Sequence, residues 1–332
     1  MGIQDGQKCG IVTFDIEKAF DRAPHKKILE RLEKYRCPSL IGKWLCSLLT
    51  NRIFHVRVDG EISDIKRINA GTPQGSPLSP ILFSLLINEI GKVLDKHDLH
   101  YALFADDLVI WKIGTRIDYI EKKLQRATTA ILNFFEKICL NINEKKCLYS
   151  VFTKKRITPT LNIRVKETPI KYTSNPVILG ITFDKKLTFT DHFKLISKKI
   201  SSKINLLRLL CHKSCRINKK ALRTIYNSLI LSKIQYSMIP YMHTNSKTKT
   251  DLQVIQNKCL RCILNLPTRS NTDSIHNALK MDKLDARISN LCTKYIKNAT
   301  ITNDSIRKIL ENSFSVINNY NNTVLSQINL KF

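Results

Sequence analysis

Tyr101-Ala-Leu-Phe-Ala-Asp-Asp-Leu-Val-Ile-Trp111 sets two adjacent carboxylates between two apolar arms. Arms of this length and composition read as strands, so the segment predicts a hairpin with Asp106 and Asp107 at its tip. Gly10-Ile-Val-Thr-Phe-Asp15 is another short apolar run, and it too ends on an acid. Carboxylates at the ends of buried strands are costly unless something neutralises them. Hard divalent cations do this, because Mg²⁺ prefers oxygen ligands and often takes only one or two carboxylates plus substrate phosphates. Two such ions about 4 Å apart hold both the attacking and the leaving oxygen of an in-line phosphoryl displacement. An acid on one strand and an acid pair on a neighbouring hairpin therefore suit nucleotidyl transfer. An isolated Asp-Asp is also ordinary turn chemistry, so its surroundings have to decide.

Charge points the same way. Among 332 residues, Lys and Arg number 55 against 27 Asp and Glu, a formal charge of +28. Such an excess repels itself and favours a polyanionic partner. The bases are also clustered: no carboxylate lies between Asp191 and Asp251, a stretch that holds Lys194, Lys198, Lys199, Lys203, Arg208, Lys219, Lys220 and Arg223 among others. A short run of this kind is a solvated face; one this long predicts contact with nucleic acid. The ten cysteines, with a polar N-terminus, read as reduced thiols. No apolar run approaches the roughly twenty residues that span a bilayer, so no membrane partner is expected. The expected locations are nucleus and cytoplasm, and the sequence sets no oligomeric state.

Along the chain, Ala23-Pro24 opens a helix with Ile28, Leu29, Leu32 and Tyr35 on one face, and Ser39 caps a second with Leu40, Trp44, Leu45 and Leu48 inward. Ile53 to Val58, Asp59-Gly60 and Ile62 to Ile68 predict a hairpin. The turn-rich stretch 71–80 leads into a helix through Ile81, Leu82, Leu85, Leu86, Ile90 and Leu94. Ile117, Ile120, Leu124, Ala127, Ile131, Phe134 and Ile138 recur at helical spacing. Cys147 to Phe152 and Val177 to Phe183 read as strands, and beyond Asp191 the period stays helical. The fold class is α+β, mixed up to about residue 190 and mostly helical afterwards. The last thirty-odd residues, rich in Asn and Ile with weak periodicity, read as a loosely attached helix or as disorder.

The surroundings of the acids resemble a known set. Phe14-Asp-Ile-Glu-Lys-Ala-Phe-Asp21 resembles motif A of reverse transcriptases, and Gly71-Thr-Pro-Gln-Gly-Ser-Pro-Leu-Ser-Pro80 resembles motif B. Phe104-Ala-Asp-Asp107 resembles motif C, Leu140-Asn-Ile-Asn-Glu-Lys-Lys-Cys147 motif D, and Ile178-Leu-Gly-Ile-Thr-Phe-Asp184 motif E, the primer grip. Ser228 to Tyr236 and Leu252 to Arg261 are similar to segments that follow the palm in jockey-like elements. The chain thus resembles the reverse transcriptase of a non-LTR (LINE-type, jockey-like) retrotransposon over about residues 10 to 290. Viral RNA polymerases usually carry Gly where Ala105 stands, and intron maturases share Ala-Asp-Asp but carry a different thumb.

The resemblance implies a polymerase palm, an antiparallel sheet with packed helices, followed by a mostly α-helical thumb. The expected divisions are 1–190 for the palm with a remnant of fingers, 191–298 for the thumb and connection, and 299–332 for the tail. It implies an RNA-directed DNA polymerase with two Mg²⁺ ions, Mn²⁺ being a substitute, acting on an RNA template, a DNA primer and dNTP. Asp15, Asp106 and Asp107 would bind metal, with the Ile16 carbonyl contributing. Phe20 falls on the steric-gate position, and core packing is the other reading of that ring. Gln74 matches the glutamine near the incoming nucleotide. Lys146 matches the lysine proposed to protonate pyrophosphate, with Lys145 adjacent as the other candidate. Leu179 and Gly180 would belong to the primer grip. Glu17 and Asp21 read as structural or surface residues, and Asp184 as a turn residue. Cys259 and Cys262, with His276 downstream, read as core rather than as a zinc site. In the family a fingers region precedes motif A, so the expectation is a partial chain. The alternative is a catalytically incomplete remnant that binds nucleic acid.

Overall fold

The computed structural model describes residues 6–302. The chain divides into two compact units, Met1–Leu179 and Gly180–Phe332.

The N-terminal unit is built on a five-stranded sheet in the order β11-β8-β1-β7-β6. Its members are Lys8–Asp15 (β1), His100–Phe104 (β6), Asp107–Gly114 (β7), Leu148–Phe152 (β8) and Lys171–Tyr172 (β11). All neighbours are antiparallel except β11, which joins β8 in parallel at the edge. β1 sits at the centre, and its residues from Cys9 to Val12 are all buried, as expected of a strand covered on both faces. Gly10 explains how closely the cover approaches. A Cβ there would stand 2.7 Å from Ile120 Cγ2, so glycine alone admits the helix Ile117–Lys137 at this point.

The sheet's helices are Ala19–Arg22 (α1), His25–Lys34 (α2), Ser39–Leu49 (α3), Ser79–Ile87 (α4), Ile90–Leu94 (α5) and Ile117–Lys137 (α6). The helix expected over Ile81 to Leu94 is broken at Asn88-Glu89, but Leu82, Phe83, Leu86, Ile87, Ile90 and Leu94 still reach the core. In α3 the inward stripe is Leu45 and Leu49. Leu40 is 82% exposed and Trp44 56% exposed, against the expectation that both point inward. Ser39 is the first helical residue and Pro38 takes the cap position, so the expected serine cap is absent there.

The hairpin around Asp59-Gly60 forms as two short ribbons. Arg52–Phe54 (β2) pairs with Lys66–Ile68 (β5), and Arg57–Val58 (β3) pairs with Glu61–Ile62 (β4), outside the main sheet. Arg164–Val165 (β9) and Thr168–Pro169 (β10) form a third ribbon. Val177 to Phe183 does not run as one strand. Val177–Ile178 (β12) and Ile181–Thr182 (β13) flank a turn at Leu179 and Gly180, whose φ values are 47° and 76°.

The C-terminal unit is helical: Thr190–Leu210 (α7), Lys219–Tyr226 (α8), Ser232–Tyr236 (α9), Met238–His243 (α10), Ser246–Leu264 (α11), Thr272–Leu279 (α12) and Leu284–Thr302 (α13). Phe193, Ile196, Ile200 and Leu207 of α7 join Leu222, Tyr226, Leu252, Leu260 and Ile288 in a core of its own. A single π-type turn, Asn227–Leu231, links α8 to α9. Residues 299–302 continue α13; the rest of the expected tail lies outside the described residues. Among the described residues no helix is long and apolar enough to cross a membrane.

Candidate active site

The acids of the sequence reading meet on adjacent strands. Asp15, the last residue of β1, lies directly opposite Asp107, the first residue of β7. Phe104 pairs with Asp107, so Ala105 and Asp106 form the two-residue tip of the β6–β7 hairpin. Ala105 takes φ +51°, an unfavourable left-handed setting for a residue with a Cβ. Partial burial, then the neighbouring charges of Asp106 and Asp15, push the Asp107 carboxyl above its ordinary value.

A loop delivers a cation to this group. The Asn143 N–H donates to the Asp15 carbonyl at 2.8 Å, the Glu17 N–H donates to the Asn141 carbonyl at 2.8 Å, and Ile16 bridges Ile142. Residues 141–143 thereby lie along residues 15–17, and the next turn brings Lys146 Nζ to 3.5 Å from Asp15 Oδ1 and 3.4 Å from Oδ2. Of the two adjacent lysines, Lys146 is the one that reaches Asp15. These ladder bonds use the Asp15 carbonyl and the Glu17 amide, not the Ile16 carbonyl.

A further group follows Asp15 along the chain. Phe20 on α1 is half-buried, its ring 4.7 Å from that of Phe83 on α4. Gln74 donates from Nε2 to Asp21 Oδ1 at 2.7 Å. Asp21, read from sequence as structural or surface, is thus tied to a candidate site residue. No local pattern announces such a pairing, since the partners lie fifty-three positions apart. Glu17 pairs with Arg22 at 2.9 Å.

Outside this region, Leu179 and Gly180 form the turn at the division between the units. The Asp184 carboxylate accepts from the N–H groups of Lys186, Thr188 and Phe189, the arrangement of a turn-forming aspartate. His276 engages the Met281 carbonyl through Nδ1 and Asn257 Oδ1 through Nε2. Burial pushes the Cys259 thiol up to about 12, and Cys259 packs in the core of the helical unit.

The donor set is compatible with a divalent cation. Among the described residues no three His, Cys, Asp or Glu side chains gather into a ready-made metal cage. What is present is a facing carboxylate pair with a third acid beside it, in which burial and then the neighbouring charges raise Asp107, and Lys146 pairs with Asp15. Such a group offers oxygen ligands of the kind that hard divalent cations take alongside water and substrate phosphates.

Comparison with known proteins settles the family. The family described as reverse transcriptase (RNA-dependent DNA polymerase) matches residues 2–182. The chain belongs to the reverse transcriptase family. Asp15, Asp106 and Asp107 lie inside the matched span. The RNA-directed DNA polymerase from mobile element jockey of Drosophila melanogaster is 29% identical over 301 residues, covering 89% of this chain and 33% of the relative. The probable RNA-directed DNA polymerase from transposon BS of the same organism is 26% identical over 297 residues, covering 88% and 33%. The chain spans about a third of the length of these curated relatives. Among solved structures, apo telomerase from Candida tropicalis matches with a TM-score of 0.42 at 12% identity, over 91% of this chain and 52% of that one. The reverse transcriptase family works with divalent metal ions, as the donor set here allows.

Proposed function

We propose that this chain carries the catalytic palm of an RNA-directed DNA polymerase from a non-LTR retrotransposon. The reaction joins a primer 3′-OH to the α-phosphorus of a dNTP on an RNA template and releases pyrophosphate. The facing of Asp15 and Asp107 across β1 and β7, with Asp106 at the hairpin tip, carries the reading. These three side chains, with the Ile16 carbonyl, would hold two Mg²⁺ ions, for which Mn²⁺ substitutes. Bound there, the ions supply Lewis-acid stabilisation of the attacking and leaving oxygens.

The chain's own residues do the rest. Phe20, fixed against Phe83, places an aromatic edge where it excludes a ribose 2′-OH. Gln74 lies near the incoming nucleotide. Lys146, whose ammonium pairs with Asp15, gives a proton to the departing pyrophosphate. Leu179 and Gly180 contact the primer end. The carboxylate-free stretch between Asp191 and Asp251 holds the nucleic acid backbone.

Primer extension on an oligo(dT)-primed poly(A) template with Mg²⁺ tests this, with Asp106→Asn as the control. Extension that vanishes in the variant is the expected result. Binding of template-primer without extension by the wild-type chain would favour the other reading, a nucleic-acid-binding remnant.

A further inference from the structure

The loop that carries Gln74 is fastened to the segment after Asp15 at several points. Pro24 and Ala70 form an antiparallel bridge. The Gly71 N–H donates to the Ala23 carbonyl at 2.8 Å, and the Thr72 N–H donates to the Phe20 carbonyl at 2.9 Å. Buried His25 meets the Gly71 carbonyl with Nε2 at 2.7 Å; a carbonyl only accepts, so Nε2 carries the hydrogen. Gly71 takes φ +94°, and a Cβ there would stand 2.6 Å from the Asp21 carbonyl oxygen. The two backbones therefore run in direct contact.

These contacts set the path of the loop's main chain. They leave the Gln74 side chain, which is exposed and turns about three bonds, without a fixed direction. Among the described residues its partner is Asp21, on α1 right after Phe20. The bond commits one Nε2 hydrogen to Asp21 and sets the direction of Oε1 and the second hydrogen.

We infer that Asp21 is a positioning residue that acts through Gln74. It holds the carboxamide in one orientation for the incoming nucleotide, and it does so as a hydrogen-bond acceptor rather than as a charge. The meaning of that orientation rests on the polymerase reading; the bond itself does not. Phe20 and Gln74 are thereby tied into one unit, since α1 supplies both the ring and the acceptor.

Two measurements on the full chain test this. The first needs no catalysis: selective ¹⁵N-glutamine labelling, with Gln74 assigned by its loss in Gln74→Ala. The Gln74 carboxamide signal is expected to shift and exchange faster in Asp21→Ala and to stay in place in Asp21→Asn. An unmoved signal in Asp21→Ala overturns the inference and leaves the polymerase reading intact. The second is steady-state extension. KM for dNTP is expected to rise about fivefold in Asp21→Ala, as for loss of one hydrogen bond, with kcat within about twofold and Asp21→Asn near wild type. The double variant Asp21→Ala, Gln74→Ala is expected to lose no more than Gln74→Ala alone, because the two act as one unit. Additive losses, or an Asp21→Asn as impaired as Asp21→Ala, would overturn the positioning role. No extension by the wild-type chain would remove the polymerase reading and the positioning role with it, while the carboxamide signal still decides the bond.

Discussion

Asp107 is held in a setting that opposes its own ionisation. Burial and the charges of Asp106 and Asp15 raise its carboxyl, so the folded metal-free chain binds that proton more tightly than the unfolded chain does. A raised carboxyl removes stability as pH climbs through and above the ordinary carboxylate value. Asp107→Asn is therefore expected to raise the metal-free melting temperature at neutral pH, because the variant has no carboxyl to ionise against burial and the neighbouring acids. The same variant is expected to lose extension by at least about a hundredfold. Melting in EDTA checks the first effect, and an unchanged or lower midpoint would show that burial and the neighbouring acids do not oppose the ionisation of Asp107. Phe20 allows a second separation. Its ring is both half-buried against Phe83 and, by the motif, a gate. Phe20→Val is expected to cost about 1–2 kcal/mol in urea unfolding and to raise incorporation of ribonucleotides relative to deoxynucleotides. A stability loss with unchanged sugar discrimination would leave only the packing role. The acids and the ring were legible in sequence because each sits at a fixed place in a short motif. Lys146 matched its motif with Lys145 left open beside it; both lie in one loop, and the pairing of 141–143 with 15–17 brings Lys146 to Asp15.

At the scale of elements, periodicity located buried faces well where the whole element is covered. The stripe Ile120, Leu124, Ala127, Ile131 and Phe134 of α6 is buried as its spacing demands. In α3 the same reasoning misplaced Leu40 and Trp44, because an apolar side chain can remain exposed without betraying it in its own spacing. Val177 to Phe183 reads as a strand from its β-branched residues, yet Leu179 adopts a left-handed φ and the chain reverses there. One local network was invisible to pattern altogether. Asp98 accepts from Lys112 on β7 at 3.0 Å, from Lys123 on α6 at 3.2 Å and from the Tyr119 hydroxyl at 3.0 Å. These three partners hold its carboxyl at about 2. A depressed carboxyl contributes stability above its unfolded value and loses it as pH falls toward the folded one. Asp98→Asn is expected to melt below wild type at neutral pH, with the gap closing as pH falls from about 4 to about 2. A gap independent of pH would assign the effect to packing of Tyr119 instead.

At the scale of the whole chain, charge is the property read most directly from composition and least dependent on fold. The structure adds where some of it is spent. In α7, Lys194 pairs with Asp191, whereas Lys198, Lys199 and Lys203 stand exposed beside the buried Phe193–Ile196–Ile200 stripe, with no ion pair among the described residues. Charges left unpaired on a rigid helix are available to phosphates, and each phosphate contact with single-stranded nucleic acid contributes about −0.7 to the slope of log affinity against log salt. If all three contact the backbone, Lys198→Gln, Lys199→Gln, Lys203→Gln together are expected to flatten that slope by about 2 for a single-stranded RNA, and to weaken binding at low salt without regard to RNA sequence. Asp107→Asn, measured beside it, is expected to keep the wild-type slope, since it lies in the carboxylate group and supplies no cation. A triple variant with the wild-type slope would show that α7 does not touch the backbone, and the excess charge would then have to act through other parts of the carboxylate-free stretch. A slope lowered equally in both variants would mean that the salt dependence reports the folding of the chain and not its contacts with RNA.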